Sequence, residues 1–277
     1  MAGAATGWSR SAPRGSPGRA EENLSAALAA LAEASGWADR PAFVEAGTGV
    51  LSHGEVHDLV ARVAGVLADH GVAPGARVLL ALADGRWFPA AFLGTVHLGG
   101  IAVPVNPGLP EGDHAWLADD ADPAVVVCEP GLAARFGGSR PVLDPGDLAA
   151  AVASRDPVPP HPVGGEAIAY AQYTSGTTGR PKAALHRHRD PRCYHRAMGE
   201  AALGIDPGDR VLSVSKAYFA YGLGNSVFFP LFSGASAVLW PARPSPEGAV
   251  ALAGETRPTL FFAVPSFYAA LVARAEP

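Results

Sequence analysis

The densest chemistry in this chain lies in one run, Tyr173-Thr-Ser-Gly-Thr-Thr-Gly-Arg-Pro-Lys182. Thr174, Ser175, Thr177 and Thr178 supply hydroxyls, while Gly176 and Gly179 let the backbone turn sharply and approach a ligand closely. Hydroxyl and backbone N–H donors arranged this way suit the oxygens of a phosphate. Lys182 adds a compact ammonium on a flexible stem. Only two of the 21 Lys and Arg residues are lysine, Lys182 and Lys216. A chain that writes its positive charge almost wholly as Arg has used an ammonium at these two places. The spacing is not that of a Walker A loop, G-x-x-x-x-G-K-[ST], because Arg180 and Pro181 separate the last glycine from the lysine. A Ser/Thr/Gly cluster is by default a surface loop. Here a strand-like run, Ala167–Tyr173, precedes it and a helix-like run follows. A strand–loop–helix order would place a phosphate at the positive end of the following helix.

A second block, Ser213-Val-Ser-Lys-Ala-Tyr-Phe-Ala-Tyr-Gly-Leu-Gly-Asn225, offers a binding surface of another kind. Small Ala220 and Gly222 flank Tyr221 and leave room for a planar ring that the tyrosine stacks on or hydrogen-bonds. The competing reading is a core tyrosine in a segment already rich in aromatics: Tyr218, Phe219, Phe228 and Phe229. Lys216, on the loop after a strand, either meets a substrate carboxylate or is solvated.

His186-Arg-His-Arg-Asp190, with Cys193 and His195, matches no structural zinc spacing, so no metal site is assigned. Arg187, Arg189, Arg192 and Arg196 form a basic stretch that reads as a solvated helix face, or else as an attractor of phosphates. Nothing marks Cys193 as a nucleophile, and no G-x-S-x-G is present.

The elements that must hold these blocks follow from periodicity and end signals. Leu24, Leu28 and Leu31 repeat at helical spacing in Glu21–Ser35 before Gly36. Ser52-His-Gly-Glu55 fits a capping box ahead of Val56, Leu59, Val60, Val63 and Leu67. Arg77–Leu82, Ile101–Val105 and Ala124–Cys128 read as strands, with Trp87–Leu98 as a helix. Arg210–Ser215, Ser236–Trp240 and Thr259–Val264 also read as strands. Pro191–Gly204, residues around Ser226–Phe232, Pro246–Gly254 and Ser266–Arg274 read as helices. Alternation of this kind means βαβ units and parallel sheets. Proline-rich Asp156–Gly165 is the candidate linker. The division expected is a disordered tail over 1–20, a first α/β subdomain over 21–160 and a second over 161–277.

Net charge of −5 argues against a nucleic-acid partner. No apolar run approaches the length of a membrane helix, so no membrane partner is expected. Two well-separated cysteines, Cys128 and Cys193, give no disulfide framework, and cytoplasmic residence is expected.

The two blocks resemble the acyl-adenylate-forming superfamily, and the wider chain is most similar to aryl-CoA ligases, benzoate-CoA ligase in particular. The hydroxyl-rich run resembles the family's phosphate-binding signature. The Ser213–Asn225 block, followed by Phe229-Pro-Leu231 and Gly234-Ala235, is the second match. The resemblance extends from about Asn23 to the end of the chain. It departs at Ala183, where the family usually has glycine; a methyl there would tighten the turn without abolishing phosphate contact.

The fold implied is α/β: parallel-sheet subdomains of the N-terminal domain of an acyl-adenylate-forming enzyme, truncated. The activity implied is ATP-dependent conversion of a benzoate-like aryl carboxylate to an acyl-adenylate and then an acyl-CoA, using ATP, Mg²⁺ and CoA. By the resemblance, Thr174, Ser175, Gly176, Thr177, Thr178, Gly179 and Lys182 hold the nucleotide phosphates. Ala220, Tyr221, Gly222 and Lys216 serve the acid. The family's later blocks, including its adenylation lysine, have no counterpart here. No catalytic residue is therefore assigned, and Lys182 is not that lysine. The chain is expected to be half of a ligase, inactive alone and completed by a C-terminal half or a homo-oligomer. Two alternatives stay open: a non-catalytic nucleotide- or carboxylate-binding module or partner subunit, and an adenylate-forming ligase for fatty or amino acids.

Overall fold

The structure, a computed structural model, describes residues 8, 22–174 and 180–275. In chain order the first elements are α1 (Leu24–Ala34), β1 (Pro41–Glu45), β2 (Gly49–Ser52), α2 (His53–Asp69), β3 (Arg77–Ala81) and α3 (Trp87–His97). Next come β4 (Ile101–Pro104), α4 (Glu111–Ala121), β5 (Val125–Cys128), β6 (Val142–Leu143) and α5 (Pro145–Val152). Then follow β7 (Ile168–Thr174), β8 (Lys182–Arg187), α6 (Asp190–Tyr194), β9 (Arg210–Ser213), α7 (Ala220–Leu223) and α8 (Phe229–Ser233). The series closes with β10 (Ser236–Leu239), α9 (Pro246–Thr256), β11 (Leu260–Phe262) and α10 (Pro265–Ala275).

The chain divides into two compact units. One takes residues up to Ala27, Asp58–Leu82 and Pro89–Asp190; the other takes Leu28–His57, Ala83–Phe88 and the chain from Pro191. The first is built on a six-stranded sheet of order β6-β5-β3-β4-β7-β8, parallel except where β7 meets β8. The second is built on a five-stranded sheet, β11-β9-β10-β1-β2, parallel except for the β1–β2 hairpin. Strands β3 and β5 are near-continuous runs of Val and Leu, buried on both faces as central parallel strands must be. Their side chains join Val103, Leu117 and Phe136 in the core of the first unit. Each such side chain removed from water stabilises by roughly 1.5–3 kcal/mol. In the second unit Leu212, Val238 and Leu252 pack together, as do Ile205, Phe229 and Ala235.

The end signals work locally. The Ser52 N–H donates to Glu55 Oε2 at 2.7 Å and the Glu55 N–H to Ser52 Oγ at 3.2 Å, which opens α2 as a capping box. Gly71, at φ 86°, follows its last turn in the left-handed region that glycine adopts without cost. Among the described residues no helix is long and apolar enough to cross a membrane.

Four expectations change. The run after the hydroxyl-rich loop is not a helix but β8, antiparallel to β7, with Tyr170 opposite His186 and their rings stacked at 4.5 Å. Cross-strand pairs of this kind outweigh the helix propensity of Ala183 and Ala184. A cut near residue 160 does not follow the two units, because β7 pairs with β4 and brings both Ile168–Thr174 and its partner strand Lys182–Arg187 into the first sheet. The proline-rich segment is not a free linker. Val158 N–H donates to Ala61 O, and His161 N–H donates to His97 O at 2.8 Å. Proline blocks regular structure there, but the N–H groups that remain find acceptors. Finally, the helix expected over Pro191–Gly204 is α6 followed by a π-helical turn, His195–Glu200, and that around residue 226 is a π-helical turn, Gly224–Phe228, leading into α8. Residues 1–20 lie outside the described residues except Trp8.

Candidate functional site

The sequence candidates fall into two groups, one on each unit. On the first, Thr174 ends β7 and Lys182 begins β8, directly opposite one another. Both are exposed, and Thr174 Oγ1 donates to the Lys182 carbonyl at 3.4 Å. Ser175, Gly176, Thr177, Thr178 and Gly179 lie outside the described residues. Ala183 is not in a turn: it sits opposite Tyr173, partly buried against the core. Since a strand follows the loop, no helix end faces a phosphate from the next element. The donors left to the hairpin are its own N–H and hydroxyl groups and Lys182.

The root of this hairpin is fixed by α4, which periodicity did not reveal. Tyr173 OH donates to Asp120 Oδ2 at 2.6 Å and accepts from Trp8 Nε1 at 3.2 Å. Burial and then the Asp120 carboxylate push the Tyr173 hydroxyl well above its usual range, so it stays protonated as a donor. Trp116 meets the Tyr173 ring edge-on at 5.9 Å, and the Arg180 guanidinium lies 5.6 Å from the Trp116 ring. Both ends of the loop therefore rest on one indole. The inward stripe of α4 is His114, Leu117, Ala118 and Ala121, a helical spacing hidden by counting His114 as polar.

On the second unit, Lys216 is buried, at 8% exposure, so the solvated reading fails. Its Nζ donates to Trp240 O and to Ala242 O, the latter at 2.7 Å, and stands 5.5 Å from the Trp240 ring. Next to it the Ala217 N–H donates to Oδ1 of Asp84 at 3.0 Å. Asp84 is 3% exposed, and its burial pushes the carboxyl up to about 6 against the pull of Lys216 and the Ala217 N–H. Burial lowers Lys216, opposed by Asp84. Sequence reasoning missed Asp84 altogether.

Lys216 O accepts from the Phe219 N–H at 2.9 Å, and Phe219 O accepts from Leu223 at 2.8 Å, which starts α7. Gly222 does not leave room for a ring. A Cβ there would overlap the Ser215 and Lys216 carbonyls, so its missing side chain lets α7 sit flush on that backbone. Ala220 and Tyr221 are exposed, and Tyr221, at 41%, is no core residue. Its one described ring partner is Phe262, edge-on at 6.3 Å. Asn225, 1% exposed on the Gly224–Phe228 π-helical turn, has no hydrogen-bond partner among the described residues for either amide atom.

The His/Cys run serves packing. His186 stacks on Tyr170. His188 Nδ1 accepts the Leu24 N–H at 3.0 Å, and burial holds that imidazole neutral, at about 4. His195 Nε2 and Ser233 Oγ are 2.8 Å apart, and Cys193 is exposed. Arg187 and Arg189 pair with Glu166. No group of three His, Cys, Asp or Glu among the described residues is arranged to hold a metal. A cleft of about 510 Å³ between α9 and α10, lined by Val250, Ala251 and Leu271, contains none of the candidates.

Strands β7 and β8, which flank the hydroxyl-rich run, stand on a parallel-rich α/β scaffold, and similarity to known proteins makes the class specific. Residues 31–277 match the model of the AMP-binding enzyme family, and the chain belongs to that family. The p-hydroxybenzoic acid–AMP ligase FadD22 of Mycobacterium tuberculosis (strain ATCC 25618 / H37Rv) is 44% identical over 92% of this chain and 36% of its own length. The 4-hydroxybenzoate–CoA/benzoate–CoA ligase of Rhodopseudomonas palustris (strain ATCC BAA-98 / CGA009) is 36% identical over 80% of this chain and 44% of its own length. The crystal structure of a benzoate CoA ligase from Burkholderia xenovorans LB400 superposes with a TM-score of 0.84 at 29% identity, covering 90% of this chain and 52% of that one. The chain thus spans about half or less of the length of these relatives.

Proposed function

We propose that this chain supplies the phosphate-holding hairpin and part of the acid pocket of an ATP-dependent ligase for aromatic carboxylic acids. The observation that carries the reading is the similarity, over nine-tenths of the chain, to a ligase named for p-hydroxybenzoic acid. In the reaction, a carboxylate oxygen of the aryl acid attacks the α-phosphorus of ATP. The bond to the bridging oxygen breaks, and pyrophosphate leaves. The protein's task is to position groups and offset charge. Thr174–Gly179 donate to the β- and γ-phosphate oxygens, and Lys182 neutralises part of their charge. Mg²⁺, when bound with the nucleotide, screens the same oxygens. A hydroxyl of the hairpin would help to hold it there. Ala220 and Tyr221 face the aromatic ring, while Gly222 and Lys216 set where that surface lies. The setting is cytoplasmic, where ATP and CoA are drawn on.

The acceptor of the acyl group is a separate matter. In the CoA route a thiol attacks the acyl carbon and AMP leaves. FadD22 is named an AMP ligase, whereas the relatives named CoA ligases are less similar. We therefore read aryl-adenylate formation as the common step and CoA as one candidate acceptor.

The test uses the full gene product with benzoate, 4-hydroxybenzoate, a long-chain fatty acid and an amino acid. Pyrophosphate release that depends on the aryl acids supports the reading, and product analysis with and without CoA names the acceptor. Release driven by the fatty or amino acid would transfer the chain to another adenylate-forming ligase. Tight ATP binding without any release would make it a nucleotide-binding module.

A further inference from the structure

We propose that Asp84 is a positioning residue: together with Lys216 it grips the turn from which α7 presents Tyr221 to the aryl acid. The proposal rests on the acid-pocket reading of Tyr221.

Residues 216 and 217 are held from two sides. Asp84 Oδ1 takes the Ala217 N–H at 3.0 Å, while Lys216 Nζ reaches the other way to the carbonyls of Trp240 and Ala242, just past β10. Asp84 and Lys216 make no direct ion pair; each ends on backbone, and their opposite charges act across the buried space between. The base of the grip is itself pinned. Arg86, two residues on from Asp84, donates its Nε to Glu45 Oε2 at 2.8 Å and its backbone N–H to Glu45 Oε1 at 3.3 Å, tying the segment to β1. The gripped turn passes its position on without slack. Phe219 N–H bonds Lys216 O, and Gly222 lies directly on the Ser215 and Lys216 carbonyls with no side chain between. A shift at 216–217 therefore moves α7, and Tyr221 with it.

Two buried charges are a poor way to gain stability, since desolvation offsets most of their attraction. Their directional bonds are a good way to fix one geometry. Asp84, 3% exposed and bonded to the turn, is too deeply buried for hydration to explain a carboxylate there.

The experiment compares Asp84→Ala, Asp84→Asn and Tyr221→Ala in the full gene product, by KM for the aryl acid and KM for ATP. Displacement of a binding group by a fraction of an ångström costs about tenfold or more. Asp84→Ala is expected to raise the aryl-acid KM about tenfold and the ATP KM less than about twofold. Asp84→Asn, which keeps an oxygen for the Ala217 N–H, should recover most of that loss. If Asp84→Ala does not fold, Asp84→Leu, which fills the same space without an acceptor for the Ala217 N–H, decides: its aryl-acid KM must rise relative to its ATP KM. Equal changes in both constants, or none, in the variant that lacks the acceptor overturn the proposal. Tyr221→Ala separates the two failures. If it raises the aryl-acid KM while the Asp84 variants do not, the grip alone is wrong. If it leaves that KM unchanged, the acid-pocket reading falls and the grip loses its purpose.

Discussion

The chain's two lysines stand in opposite surroundings. Lys182 opens β8 at an exposed hairpin, and Lys216 is buried against two carbonyls and an indole. Their rarity singles both out, but rarity does not separate a charge that must reach a ligand from one that holds a turn. Burial does. An ammonium kept at the surface retains its hydration and is free to exchange it for phosphate oxygens. A buried one must spend its N–H groups on the protein. The comparison teaches that the hairpin has a fixed root at Tyr173 and exposed flanks at Thr174 and Lys182, whereas the segment bearing Tyr221 is fixed from beneath and exposed at its outer face.

The largest effect should come from Lys216→Ala. It abandons two carbonyls and leaves the Asp84 charge uncompensated, a loss of about 3 kcal/mol. Urea denaturation measures it, and a loss under about 1 kcal/mol would break the contrast by making Lys216 a peripheral residue. Lys182→Ala should do the reverse. Stability should hold within about 0.5 kcal/mol, while kcat/KM for ATP falls about 100-fold, as for loss of a charge-stabilising donor.

The pH dependence of stability sharpens the buried side. Asp84 in the folded state titrates at about 6, above the 3.8 of an ordinary aspartate. Between these values the folded chain binds the proton more tightly than the unfolded one. The stability Asp84 contributes is therefore complete below 3.8 and is lost as pH rises through 6, on the order of 3 kcal/mol. Asp84→Asn should flatten that stretch of the curve; an unchanged slope in urea midpoints from pH 4 to 7 would show that other groups produce it. Tyr221→Ala should also leave stability nearly unchanged. An exposed ring with one edge contact should cost under about 1 kcal/mol.

Local signals carry much of the fold. The Val/Leu runs of β3 and β5 are hard to read as anything but buried parallel strands, and the Ser52/Glu55 spacing marks where α2 begins. Strand β8 is hidden in the sequence because Ala183, Ala184 and Leu185 favour a helix until β7 is laid beside them. The hairpin of β1 and β2 escapes for a similar reason: Pro41 and Gly49 weaken the pattern, and its pairing with β10 is a long-range contact. The site divides in the same way. Thr174, Lys182 and Tyr221 are legible as residue types in a run. Asp84 is not, because it lies 133 positions from the N–H it accepts. Gly222 is legible but misleading, since only the fold shows that its open space is already occupied by main chain.

The central claim is tested most directly by exchange of labelled pyrophosphate into ATP, catalysed by the full gene product in the presence of each acid. The account predicts exchange with benzoate or 4-hydroxybenzoate, little without an acid, and its loss in Lys182→Ala while the fold persists. Exchange indifferent to the aryl acid, or undiminished by that substitution, would contradict it.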